Sequence, residues 1–177
     1  MTRPLDCFDD IHAHTRRGSR IITSIEPDTD IDTAYGDAWY SVGIHPWSTV
    51  EAVGQDTLDR LARMCADPRV VAVGEAGFDR RRGGSAEYQD EIFLPHVELS
   101  ESLRKPLVIH CVGRYGHLMD LHKSLGPSQL WIVHGFTGKP ELARQLTGRG
   151  IALSIGRRGM CDTSCLPANL IYRESDD

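Results

Sequence analysis

Val70-Val71-Ala72-Val73-Gly74-Glu75 reads as a buried strand that stops on a carboxylate. A short apolar run rich in β-branched residues has no polar face, as in a parallel strand covered on both sides. The same pattern recurs along the chain. Leu107-Val108-Ile109 is followed by His110, and Trp131-Ile132-Val133 by His134. Leu170-Ile171-Tyr172 leads to Asp176, and the run from Phe8 to Ile11 leads to His12 and His14. Five apolar runs therefore each deliver a histidine or a carboxylate at the C-terminal end.

Working outward from these runs, strands are expected over 7–14, 20–25, 39–45, 70–75, 106–110, 130–134, 151–155 and 169–176. Amphipathic stretches lie between the later ones. Residues 55–65 place Leu58, Leu61, Ala62 and Cys65 on one helical face. Residues 85–104 form a long helical stretch in which Pro95 predicts a kink or break. Residues 115–125 align Leu118, Leu121 and Leu125 ahead of the stop Gly126-Pro127, and 140–147 starts on Pro140 and ends before Gly148.

Eight strands alternating with helices indicate an α/β fold, a compact TIM (β/α)8-like barrel. A full barrel takes about 250 residues, and this chain has 177. The deficit falls on helices missing or reduced after strands 1, 2 and 8. Residues 1–177 are read as a single barrel domain, cut short of a C-terminal helix. The three gaps adjoin one another, so an arc of the outer wall is uncovered, and strict alternation points Ile11 and Ile171 into it. A homodimer through this arc, or the missing helix, is the expected cover.

Composition bounds the class. With 20 Lys+Arg, 25 Asp+Glu, a net charge of −5 and 40% apolar residues, the chain is an ordinary globular one and lacks a broad basic surface. No stretch reaches the roughly 18–20 apolar residues of a membrane span, and the first ten residues hold no apolar signal region. The five cysteines are odd in number and scattered, which fits reduced thiols in a cytoplasmic protein. Cys161 and Cys165 have no second pair and read as loop thiols.

In a parallel barrel all strand C-termini open on one face. His12, His14, Glu75, His110, His134 and Asp176 would meet there. His12 and His14 sit two apart on a strand, about 6.6 Å between Cα atoms, and share a face. With Glu75 and Asp176 they form a mixed nitrogen and oxygen shell for one ion. His110, His134 and the other oxygen of Glu75 form the shell of a second. Such donors suit Zn2+, Mn2+ or Mg2+ without choosing among them. Two cations bridged by a carboxylate activate water for in-line attack at phosphorus. Asp176 is the expected proton acceptor, and Asp10, on the face of His12, is placed to orient a ligand or to serve as an ordinary buried acceptor.

The ordered set Asp10-x-His12-x-His14, Gly43-x-His45-Pro46, Gly74-Glu75-Ala76-Gly77-Phe78-Asp79, Val108-Ile109-His110, His134-Gly135-Phe136-Thr137-Gly138 and Glu174-Ser175-Asp176 resembles the TatD family of metal-dependent hydrolases. These are TatD-type deoxyribonucleases within the amidohydrolase superfamily. The resemblance spans about residues 5–177 and implies a TIM barrel with two divalent ions and hydrolysis of DNA phosphodiesters, often from a 3′ end. It makes His12, His14, Glu75 and Asp176 ligands of one ion and Glu75, His110 and His134 ligands of the other. It places His45 near the site as a phosphate or base contact. Two positions depart from the family's pattern: Val112 stands where an arginine is common, and Gly135 where a cysteine is common.

Arg16, Arg17, Arg20, Arg80, Arg81, Arg82, Arg114, Lys139, Arg157 and Arg158 are expected around the same mouth, where they would attract a polyanion despite the overall sign. Arg80, Arg114 and Arg157 are the chosen substrate contacts. Two alternatives stand beside a nuclease: a small-molecule amidohydrolase or esterase with the same metals, and a metal-binding relative without turnover. His117 and His122 read as surface residues of a helix. Trp39, Trp47 and Trp131 read as packing residues, with Trp47 the one candidate to stack on a base.

Overall fold

The computed structural model describes residues 5–15, 17–31, 38–157, 159 and 162–177. Its eight strands are β1 Asp10–Ala13, β2 Ile21–Ile25, β3 Trp39–Val42, β4 Val70–Asp79, β5 Leu107–Val112, β6 Trp131–Val133, β7 Ala152–Ile155 and β8 Ile171–Arg173. They pair in chain order, each neighbour parallel to the last. The sheet curls until β8 meets β1. There the Asp176 N–H donates to the His12 carbonyl at 3.1 Å and the Ser175 N–H donates to Asp10 Oδ1 at 3.0 Å. The result is the expected (β/α)8-like barrel, nearly closed and sparsely covered.

Among the described residues four α-helices cover it: α1 Gln55–Cys65, α2 Ala86–Leu103, α3 Tyr115–Leu125 and α4 Pro140–Thr147. They follow β3, β4, β5 and β6. Among the described residues no α-helix follows β1, β2 or β8, as expected. None follows β7 either, where only a 3-10 turn, Ala168–Leu170, precedes β8. The bare arc therefore runs one strand further than the sequence indicates. Arg16, Cys161 and Arg158 fall outside the described residues.

Of the kink or break expected at Pro95, the break does not occur, and α2 runs through the proline. Proline removes one backbone donor from the helix interior. That loss is offset by the face that buries Ile92, Phe93, His96, Val97 and Ser100. Ser85 caps the start by accepting the Tyr88 N–H at 3.2 Å. His96 is fully buried, accepts the Ile44 N–H on Nε2 at 2.9 Å and donates from Nδ1 to the Ile92 carbonyl at 2.8 Å. Burial pushes its pKa down to about 4. The unfolded chain then takes up this proton first, below the ordinary imidazole value of 6.5. Stability is full above that pH and falls toward pH 4, by on the order of 3 kcal/mol from this residue. Urea unfolding at pH 7 and pH 4.5 checks it, and His96→Gln is expected to flatten the difference.

Two apolar clusters hold the barrel. One lies between sheet and helices and includes Val42, Val73, Phe78, Phe93, Leu107, Ile109, Trp131 and Leu153. The other joins Leu5, Ile11, Ile22, Ile132, Ala152 and Tyr172. Its members come from β2 and β6, on opposite sides of the barrel, so it fills the interior. Ile11, 1% exposed, therefore does not face the gap as alternation predicts. The register of β1 against β2 shifts between Asp10 and Ala13, and such a shift re-aims side chains. Ile171 is also not bare, since it packs against the outer cluster.

β4 is the longest strand and carries the site. It continues four residues past Glu75 to Asp79 rather than ending on the carboxylate as expected. Its register against β5 shifts between Val73 and Ala76, so Glu75 sits in a bulge that turns it toward the interior. Gly74 has φ 112°, and a Cβ there would run into the Val108 carbonyl oxygen. Only glycine permits that approach.

Candidate metal centre

Glu75 is buried at the middle of the C-terminal rim, and its two oxygens face different histidines. Oε1 lies 2.6 Å from His134 Nε2, 2.8 Å from His110 Nδ1 and 3.0 Å from His45 Nε2. Oε2 lies 3.2 Å from His12 Nε2 and 4.0 Å from His14 Nε2. Asp176 Oδ1 stands 3.5 Å from His14 Nε2 and 3.9 Å from His12 Nε2. The six residues singled out as ligands from strand ends thus meet in one place. Three overlapping groups have donor atoms within 4.8 Å of one another: His12, His14 and Glu75; His12, His134 and Asp176; and His45, Glu75 and His110. These residues could hold metal.

The charges are coupled. Burial pushes the Glu75 carboxyl up, but His134, His110 and His12 outweigh it and hold the group well below the usual range. Burial pushes His110 down, and the carboxylates of Glu75 and Asp79 reverse that and raise it. The hydrogen bond between His14 and Asp176 raises the imidazole and lowers the carboxyl.

Behind the imidazoles stand further carboxylates. His110 Nε2 lies 3.3 Å from Asp79 Oδ2, which also accepts the Trp47 indole N–H at 2.7 Å. His134 Nδ1 lies 3.9 Å from Glu174 Oε2; both atoms are buried and neither is in a hydrogen bond. Glu174 Oε1 accepts the Gly135 N–H at 2.6 Å, and burial raises the carboxyl to about 7. A carboxylate behind a ligating histidine fixes its tautomer. Glu174→Gln places an amide N–H2 against Nδ1, which then accepts, so the proton moves to Nε2 and blocks it. Zinc affinity is expected to fall about 10- to 100-fold with the unfolding midpoint held, as read by competition with a chelating dye. An unchanged affinity would count against the orienting role.

His45 has a different tautomer logic. Its Nδ1 accepts the Trp47 backbone N–H at 3.1 Å. In the neutral ring the proton is then on Nε2, the atom aimed at Glu75. A protonated nitrogen is a donor and not a ligand, and the acceptor this one faces is Glu75 Oε1 at 3.0 Å. Asp10 Oδ1 accepts the backbone N–H of both His12 and Ser175, which ties β1 to the chain end bearing Asp176.

The basic residues are less gathered than expected. Arg20 pairs with Asp9 at 2.6 and 2.7 Å. Both residues precede their strands, so this pair sits at the opposite end of the barrel. Arg114 is bound to Asp90 at 2.9 and 3.3 Å, donates to the Ala86 carbonyl and covers Phe78. Its side chain is 15% exposed and already engaged, which removes it as a phosphate contact. Arg80 and Arg157 are exposed. The cavity over the site is about 390 Å³ and is bounded by His14, Glu26, His45, Trp47, Glu75 and Asp176 among others, with no lysine or arginine among the described residues. Sequence reasoning missed Glu26, which accepts from the His45 N–H and the Ser48 hydroxyl. It also missed Asp79 and Glu174 as partners of the histidines, although both lie inside motifs it had singled out.

The described residues form an eight-stranded parallel barrel with histidines and carboxylates gathered on its C-terminal face. The profile of the family described as TatD related DNase matches residues 18–164, and the chain belongs to that family. A relative from Cronobacter turicensis named 3'-5' ssDNA/RNA exonuclease TatD is 30% identical over 155 residues, 80% of this chain and 58% of its own. One from Mycobacterium tuberculosis, named an uncharacterized metal-dependent hydrolase TatD, is 34% identical over 65% of this chain and 46% of its own. The crystal structure of a TatD family hydrolase from Entamoeba histolytica superposes with TM-score 0.74 at 22% identity, covering 89% of this chain and 61% of that one. The chain spans about half the length of the curated relatives it matches. No helix among the described residues is long and apolar enough to cross a membrane.

Proposed function

We propose that the chain is a metal-dependent phosphodiesterase that trims single-stranded nucleic acid, with residues 1–177 acting as one domain. The observation that carries this reading is the division of Glu75: one oxygen serves His12 and His14, the other His110 and His134. Both ring nitrogens of His12 are buried with no well-formed hydrogen bond, Nε2 facing Glu75 Oε2 at 3.2 Å, which fits an imidazole placed to ligate a cation. His12, His14, Glu75 and Asp176 would hold one divalent ion, and Glu75, His110 and His134 the other. Zn2+, Mn2+ and Mg2+ all suit this donor set. When bound, such ions lower the pKa of water and neutralise charge on a phosphoryl group.

The chain's own residues do the rest. Asp176 takes the proton of the attacking water. The Nε2–H of His45 meets a non-bridging phosphate oxygen. Arg80 and Arg157 draw the following backbone toward a cavity lined, among the described residues, by acids and histidines with no lysine or arginine. A second copy of the chain is proposed to cover the wall around β8, β1 and β2, where a groove of about 730 Å³ lies open. Light scattering at twice the chain mass checks that.

The test of the function is hydrolysis of an end-labelled single-stranded oligonucleotide and of an aryl ester, each before and after chelation and after metal return. Oligonucleotide cleavage that is lost and restored supports the reading. Ester cleavage without oligonucleotide cleavage moves it to a small-molecule hydrolase, and metal binding without either to a non-catalytic relative.

A further inference from the structure

We infer that Trp47 is a stacking platform for the unpaired base of the nucleotide whose phosphate enters the site, and so sets the preference for single strands. This rests on the nuclease reading above. Four large apolar side chains are exposed among the described residues, Trp47, Val50, Leu94 and Leu125, and only Trp47 bounds the cavity. Trp47 is 44% exposed, whereas Trp131 is buried in the outer core. A tryptophan that only packs hides its ring; this one presents it.

The ring is also held still. Its indole N–H donates to Asp79 at 2.7 Å, and its backbone N–H donates to His45. It stands edge-on to His45 at 4.9 Å and 81°, and to His110 at 6.0 Å and 73°. The Arg82 guanidinium lies 4.3 Å from the ring centroid. A fixed aromatic face loses little freedom when a base stacks on it, and stacking tolerates any base because each has a π-face. Arg82 lies over one face of the ring, so a base would take the opposite face and the guanidinium would complete the stack as a cation–π partner. A base inside a duplex is sandwiched between its neighbours, so it reaches the platform only by unpairing and leaving the stack.

The competing role is structural: Trp47 would matter only through Asp79, which stands behind His110. The two roles separate by substrate. The metal-loaded full chain is assayed on an oligothymidylate and on the same strand ending in an abasic nucleotide. Trp47→Ala is expected to raise KM about 5- to 100-fold on the first strand, with little change on the second. Trp47→Phe keeps the π-face, loses the indole donor and is expected to stay within about threefold of wild type. Metal content of both variants should equal that of wild type. In the wild-type chain the oligothymidylate should quench indole emission, and Trp47→Phe should remove that quench. An equal rise in KM on both strands, or no rise, overturns the platform while leaving the nuclease reading intact. Wild-type protein that cuts neither strand overturns both.

Discussion

Glu75→Gln is expected to lower turnover by about 10³-fold or more and to leave no more than one cation bound per chain. The side chain is the meeting point of the centre: three imidazoles approach one oxygen and two approach the other. Glutamine keeps the volume and so the packing of the bulge in β4. It replaces one charged acceptor by a neutral carbonyl and the other by an N–H2 that points protons at nitrogen lone pairs. A ligand set sharing one carboxylate cannot survive that exchange on both sides. Two cations on a phosphoryl group supply several kcal/mol of transition-state stabilisation, which sets the scale of the loss. Elemental analysis gives the cation count, initial rates on an oligonucleotide give the turnover, and far-ultraviolet circular dichroism shows that the barrel is retained. A folded variant with both cations and wild-type turnover would remove Glu75 from the centre of the argument.

The strand ends were legible because a parallel barrel converts separate positions in sequence into one location. Each of His110, His134 and Glu75 follows an apolar run, and parallel pairing leaves those runs no other way to point. What stayed hidden depends on register and reach. The shift between Val73 and Ala76 places Glu75 inside β4 rather than at its end, and nothing in the run Val70-Val71-Ala72-Val73 marks a bulge except Gly74. The shift in β1 turns Ile11 inward by the same means. Arg20 shows the limit of assigning a loop residue to a face: the connection from β1 to β2 crosses the whole barrel, so its last residue lies at the far end, against Asp9. Arg114 was misread because its partner Asp90 lies 24 residues away on another helix. Local sterics at Pro95 predict a kink or a break, while the buried face of α2 carries the helix through without a break.

Asp176→Asn is expected to cut kcat by about 10²- to 10⁴-fold, the range for loss of a positioned base, with KM close to wild type. Asp176 follows β8 and stands beside the histidines, with Oδ1 3.5 Å from His14 Nε2 and 3.9 Å from His12 Nε2. It is half-buried, beside the cavity, and its hydrogen bond to His14 holds the carboxyl ionised below its ordinary range. An ionised carboxylate at the edge of a cavity can take a proton from water; an amide of the same shape cannot. The variant keeps His12, His14 and Glu75, so the first ion still has three ligands and binds more weakly. That weakness has its own signature. If raising the metal concentration restores kcat, Asp176 acts only by holding the ion, and its role as base is wrong. If kcat stays low with the site fully loaded, proton transfer is what was lost. His14→Ala is the matching control: it removes a neighbouring ligand while leaving the carboxylate, so its defect should yield to added metal where that of Asp176→Asn does not.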